Sequence, residues 1–120
     1  MRSSKKSILI IDDEKGACEF IKSFLEDRGY KVFTALNGLD GLELVKNEKL
    51  DLVLLDMKLP KMNGVEILSK IKALNSVVRV FVVTGLEDGD EITQAKKIGV
   101  EGVLKKPIQL EELSIIVKGL

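Results

Sequence analysis

The sequence predicts an α/β protein: an open, doubly wound parallel sheet built as (βα)₅, with strand order 2-1-3-4-5. Three observations lead there. Short apolar, β-branched runs alternate with amphipathic helical patterns along the chain. The strongest runs are continuously apolar, as in strands covered on both faces of a parallel sheet. A chain of 120 residues holds five such units, too few for a closed eight-stranded barrel.

The first strand is Ile8-Leu9-Ile10-Ile11. A helix follows, with Ala17, Phe20, Ile21, Phe24 and Leu25 on one face at helical spacing, and Gly29 as its stop. Lys31–Ala35 is a weaker run and reads as an edge strand. Asn37 is placed to cap a second helix carrying Leu42 and Val45. Leu52-Val53-Leu54-Leu55 is the third strand, and Asn63-Gly64 opens a third helix with Ile67, Leu68, Ile71 and Leu74. Val80-Phe81-Val82-Val83 is the fourth strand. Asp88 is placed to cap a fourth helix bearing Ile92, Ala95 and Ile98, closed by Gly99. Gly102–Lys105 is the second edge strand, and the last helix holds Leu110, Leu113, Ile116 and Val117. The order 2-1-3-4-5 puts the three most apolar runs at the centre of the sheet and the two weak ones at its edges.

Composition narrows the chemistry. The length fits a single domain spanning residues 1–120, and 45% apolar residues suffice for a core. Lys+Arg and Asp+Glu are 19 each, so the net charge is zero and nothing draws the chain toward nucleic acid or an anionic membrane. There is no histidine, which excludes a histidine base, a Ser-His-Asp triad and a His-ligated metal. Cys18 is the single cysteine, so neither an intrachain disulfide nor a CxxC site can form. No apolar run approaches the ~18 residues of a membrane span. The basic stretch with Arg2, Lys5 and Lys6 precedes too short an apolar run for a signal peptide. A soluble cytoplasmic protein is the expectation.

In a sheet of this kind the carboxyl ends of the strands share one rim, and ligands bind where the winding reverses, beside strands 1 and 3. Strand 1 runs into Asp12-Asp13, strand 3 into Asp56, strand 4 into Thr84 and strand 5 into Lys106-Pro107. Singly, each has a bland reading: an aspartate after a strand is often a cap or turn former, and a loop lysine is usually solvated. Jointly, four strands place a polar group on one rim. Clustered carboxylates repel unless a cation joins them. A hard divalent ion fits, and Mg²⁺ suits an incomplete oxygen cage that keeps waters and takes a phosphate oxygen. Thr84 and Lys106 would serve the remaining phosphoryl oxygens, and a carboxylate there can be the nucleophile. A nucleotide or flavin site fits worse, because the loop after strand 1 reads Asp12-Asp13-Glu14-Lys15-Gly16 and would repel bare phosphate.

Ile10-Ile11-Asp12-Asp13, Leu54-Leu55-Asp56-Met57-Lys58-Leu59-Pro60-Lys61-Met62-Asn63-Gly64, Val82-Val83-Thr84-Gly85 and Leu104-Lys105-Lys106-Pro107 together resemble the receiver domain of two-component response regulators, a flavodoxin-like fold. The resemblance covers essentially the whole chain, with the motifs in family order and spacing. It implies that Asp56 is the phosphoacceptor and that Asp13 ligates Mg²⁺ directly, with Asp12 helping through water. It further implies that the Lys58 backbone carbonyl is a third protein ligand, that Thr84 is the switch hydroxyl, and that Lys106 pairs with the phosphoryl group. The implied donor is a phosphohistidine on a sensor histidine kinase or phosphotransfer protein. The implied readers are an output domain, a downstream protein or a phosphorylation-dependent homodimer. One departure stands out: the position three before the family lysine, usually aromatic, is Val103.

Three functions from different classes remain in view. One is a phosphorylation-controlled signalling module that catalyses only its own aspartyl phosphorylation and dephosphorylation. Another is a receiver-like interaction module with an idle acceptor, against which the complete acidic, Thr and Lys set argues. The third is a metal-dependent phosphohydrolase, which would want a carboxylate where Lys58 stands.

Overall fold

The computed structural model describes residues 5–85 and 89–120. Its elements run β1 (Ser7–Ile11), α1 (Lys15–Glu26), β2 (Lys31–Ala35), α2 (Gly38–Asn47), β3 (Leu52–Asp56), α3 (Gly64–Leu74), β4 (Arg79–Thr84), α4 (Gly89–Ile98), β5 (Gly102–Lys105) and α5 (Leu110–Lys118). All strand pairs are parallel, in the order β2-β1-β3-β4-β5. That is the order expected from strand hydrophobicity.

The continuous apolar runs conceal a period of two. Leu9, Ile11, Val53 and Leu55 face a core closed by Val45 of α2, by Ile67, Leu68 and Ile71 of α3, and by Ala95 of α4. Ile8, Ile10, Leu52 and Leu54 face the opposite core, closed by Cys18, Ile21 and Leu25 of α1 and by Leu113 and Val117 of α5. Each central strand therefore buries both faces, which is why its sequence shows no polar alternation.

The capping chemistry follows the sequence where it is visible. The Asn37 side chain accepts the Asp40 N–H at 2.8 Å, and Asn63 Oδ1 accepts the Val65 N–H at 2.7 Å. The expected cap at Asp88 lies outside the described residues. Helix α1 ends at Glu26 with Asp27 as its C-cap, and Gly29 takes the left-handed turn at φ +92°. The buried seam of α1 differs from the expected face. It is Cys18, Ile21 and Leu25, while Phe20 is 61% exposed. Phe20 sits one residue, or about 100°, round the helix from Ile21, at the edge of the stripe. Apolarity alone did not separate edge from centre.

Val103 on β5 is half-buried and packs on the core beneath α4. Helix α4 buries only Ala95 fully among its described residues. No helix among the described residues is long and apolar enough to cross a membrane.

Candidate functional site

β1, β3 and β5 each carry one further main-chain hydrogen bond past their last residue, and these bonds set the rim. The Asp12 N–H donates to the Ala35 carbonyl at 3.0 Å, the Met57 N–H to Val83 at 3.0 Å and the Lys106 N–H to Thr84 at 2.9 Å. The side chains that follow are held at the carboxyl edge by the sheet itself, not by loose loops. Asp56 closes β3 and is 2% exposed; Asp12, just past β1, is 8% exposed.

These two carboxylates are held alike. Asp12 Oδ1 accepts the Glu14 N–H at 2.9 Å, and Asp56 Oδ1 accepts the Lys58 N–H at 3.0 Å. Both are Asx turns, in which an aspartate bonds the backbone two residues on. The other oxygen of each faces Lys106. Its Nζ lies 2.8 Å from Asp56 Oδ2 and 3.3 Å from Asp12 Oδ2. Burial draws the Lys106 ammonium down, but its hydrogen bond to Asp56 and the charges of Asp56 and Asp12 outweigh that and hold it above the ordinary lysine value. It therefore stays charged throughout the neutral range.

Asp13 is the third carboxylate and is exposed. One oxygen from each of Asp12, Asp13 and Asp56 lies within 4.8 Å of the others. Three hard oxygen donors so close, with Lys106 on two of them, suit a divalent cation. The Lys58 main chain is turned into the same loop by its bond to Asp56. Asp13, Lys58, Asn63 and Glu91 line an open cleft of about 530 Å³ on this side. Thr84 is 3% exposed at the end of β4, whose Val83 pairs with Asp56 in register.

On the other side of Asp56, a groove of about 340 Å³ runs between α1 and the loop after β5, lined by Phe20, Ile21, Pro107 and Ile108 among others. The structure thus brings Asp12, Asp13, Asp56 and Lys106 together and sets Thr84 and Lys58 beside them. Sequence reading missed three groups: the Glu14 and Lys58 main-chain donors and the Cys18 thiol, whose Sγ reaches the Asp12 carbonyl at 3.3 Å. An Asp-x-x spacing is the signal for the first two; nothing local signals the third. Burial, reinforced by the Asp12 charge, pushes the Cys18 thiol from 9.0 up to about 11, so it remains protonated.

A model of the response regulator receiver domain matches residues 8–118. The chain belongs to this family. Sporulation initiation phosphotransferase F of Bacillus subtilis is 38% identical to it over 113 residues, which cover 94% of this receiver and 91% of that protein. The transcriptional regulatory protein CrdR of Helicobacter pylori is 37% identical over 116 residues, 95% of this receiver but 54% of the regulator, so the chain spans about half of that relative. Among solved structures, a CheY-like receiver domain protein of Methanospirillum hungatei superposes with a TM-score of 0.93 at 33% identity, covering 97% of this chain and 93% of its own. A Burkholderia pseudomallei response regulator, solved with a phosphorylated aspartic acid, calcium and citrate, gives 0.85 at 30% identity, covering 91% of this receiver and 64% of its own chain.

The carboxylate cluster carries a stability prediction. Lys106 compensates Asp12 and Asp56, and Asp13 adds a further like charge beside them. Asp13→Ala should raise the melting temperature of the metal-free receiver by a few degrees at low salt, with a gain that shrinks as salt screens the repulsion. Calorimetry in chelator at two ionic strengths measures it; an unchanged or lower value means that Lys106 already neutralises the cluster.

Proposed function

We propose that the chain is a single receiver domain over residues 1–120 that takes a phosphoryl group on Asp56. The observation that carries this reading is a carboxylate fixed at both oxygens, by Lys106 and the Lys58 N–H, and gathered with Asp12 and Asp13 within 4.8 Å. Asp13, Asp56 and the Lys58 carbonyl would hold Mg²⁺, with Asp12 assisting. When bound, the ion offsets carboxylate repulsion and polarises phosphoryl oxygens, lowering the barrier to attack.

The residues of the chain divide the remaining work. The Lys58 N–H holds the Asp56 carboxylate in one orientation. An Asp56 oxygen attacks phosphorus, the P–O bond forms as the P–N bond of a phosphohistidine breaks, and the imidazole leaves with the bonding pair. Lys106, already at the carboxylate, is placed to transfer its pairing to the phosphoryl oxygens, and the Thr84 hydroxyl donates to another. These 120 residues hold no histidine, so the phosphohistidine donor lies outside them, on a sensor histidine kinase or phosphotransfer protein. Exposed Phe20 and the apolar groove beside Asp56 give that donor a seat on the side away from the cleft. The state of Asp56 is read by an output domain, a downstream protein or a second copy, in the cytoplasm where such donors act. The Burkholderia relative, with its phosphorylated aspartic acid and calcium, supports the assignment of an acidic cation-assisted acceptor.

Beryllofluoride with Mg²⁺ tests the reading. Saturable binding that shifts the amides of Asp56, Thr84 and Lys106 is expected; a silent spectrum would favour an idle acceptor. Lys58 also bears on lifetime. Its exposed side chain stands at the cleft mouth, placed to pair with the phosphoryl group or to obstruct the attacking water. Lys58→Ala should shorten the aspartyl-phosphate lifetime several-fold, followed by acid-quenched mass spectrometry. A lifetime equal to the parent would reduce Lys58 to a solvated loop residue.

A further inference from the structure

We propose that Cys18 is a positioning residue for the acidic pair: its thiol, donated to the Asp12 carbonyl, fixes the peptide that carries Asp13 into the cation site. The inference rests on the reading of Asp12 and Asp13 as metal-holding residues.

Asp13 is exposed, so packing does not place its carboxylate. Its position is inherited from its main chain, and the loop from Asp12 to Glu14 joins β1 to a helix whose N-cap, Glu14, makes no side-chain capping bond. Besides the Lys106–Asp12 ion pair and the α1 bond to the Glu14 carbonyl, three hydrogen bonds hold this loop among the described residues. The Asp12 N–H is fixed to Ala35 of β2, and the Glu14 N–H to Asp12 Oδ1. The third is the Cys18 thiol on the Asp12 carbonyl, and that carbonyl is one half of the peptide plane leading directly to Asp13. Among the described residues, the thiol is the donor that reaches it.

The donor itself is rigid. Cys18 is 2% exposed, sits in the buried seam of α1 with Ile21 and Leu25, and its own N–H bonds the Glu14 carbonyl at 3.1 Å. A thiol is a weak donor. Even so, removing the donor from a buried carbonyl leaves an acceptor that must rotate to find another partner. Rotation of this plane swings the Asp13 Cα and moves its carboxylate away from Asp12 and Asp56. A buried cysteine that served only as a small apolar filler would show none of this dependence.

The test uses the full chain and measures Mg²⁺ affinity by titration calorimetry, with melting in chelator as the packing control. Cys18→Val fills the space without a donor, Cys18→Ala removes both, and Cys18→Ser restores a donor. Loss of the bond should weaken Mg²⁺ binding about fivefold in the Val and Ala variants, the size of one modest buried hydrogen bond. Affinity in Cys18→Ser should stay close to the parent, although its melting temperature falls. Parent-like affinity in Cys18→Val, or a Ser variant as weak as Ala, overturns the proposal and leaves Cys18 a packing residue. A parent that does not bind Mg²⁺ overturns the metal-site reading itself and the inference with it. Should a variant fail to fold, the S–H stretching band of the parent decides. A band lowered from the free-thiol position and moved by Mg²⁺ supports the bond, and a free-thiol band indifferent to Mg²⁺ removes it.

Discussion

Asp56→Asn should abolish phosphoryl uptake while leaving the fold intact. The parent, given Mg²⁺ and acetyl phosphate, should gain one phosphoryl group in its intact mass. The amide should gain none, because a neutral carboxamide is neither the nucleophile nor a charged ligand for the cation. The substitution is nearly isosteric, and the amide oxygen can keep the hydrogen bond from the Lys58 N–H. Lys106 loses its 2.8 Å partner but keeps Asp12 at 3.3 Å, so no buried charge is stranded. The variant should therefore melt as a folded protein, and loss of phosphorylation is then a statement about chemistry. A comparable mass gain in the variant, mapped to Asp12 or Asp13, would sink the assignment of Asp56.

Gly64→Ala should destabilise the protein and damage the site together. Gly64 is the first residue of α3, and a Cβ there would meet the Met57 Cα and carbonyl oxygen at 2.8 Å and its sulfur at 2.9 Å. The first two of those atoms are backbone, so the clash cannot be relieved by a rotamer change. Overpacking of this kind costs about 1–3 kcal/mol. The strain falls on Met57, between Asp56, the proposed acceptor, and the Lys58 amide that bonds its carboxylate. Thermal melting should drop by several degrees and Mg²⁺ affinity should fall with it. Gly16 is the matched control. It lies in α1 with nothing near its would-be Cβ, so Gly16→Ala should be neutral or stabilising by up to about 1 kcal/mol, as for any glycine removed from a helix. Equal melting of Gly64→Ala and the parent would show that the loop can retreat from α3 at no cost.

Much of the fold was legible because each local signal agreed with the global one. The three central strands announced themselves as unbroken apolar runs, and burial on both faces is the physical reason that such runs exist. Asn37 and Asn63 marked their helix starts because a short polar side chain satisfies amides that the helix leaves unpaired. Helix α1 was the place where a one-dimensional pattern fell short. Phe20 and Cys18 both border the apolar stripe, and the larger, more apolar residue is the one left at the surface. Which of the two turns inward depends on where β1 and α5 lie, and no spacing rule contains that.

The site divides the same way. Which groups meet there was legible in the sequence: no histidine, one cysteine, and Asp12, Asp13, Asp56, Thr84 and Lys106 each falling at the end of an apolar run. Parallel strands place those ends on one rim whatever the details, so residue type and strand position sufficed to bring the groups together. Only the tertiary structure decided how they engage. It put Lys106 on the outer oxygens of Asp12 and Asp56, gave their inner oxygens to the Glu14 and Lys58 amides, left Asp13 exposed, and set a buried thiol against the Asp12 carbonyl. These are choices of distance and direction between segments far apart in the chain. Hydrogen bonds and ion pairs depend steeply on both, whereas the burial that writes the sequence pattern depends on neither.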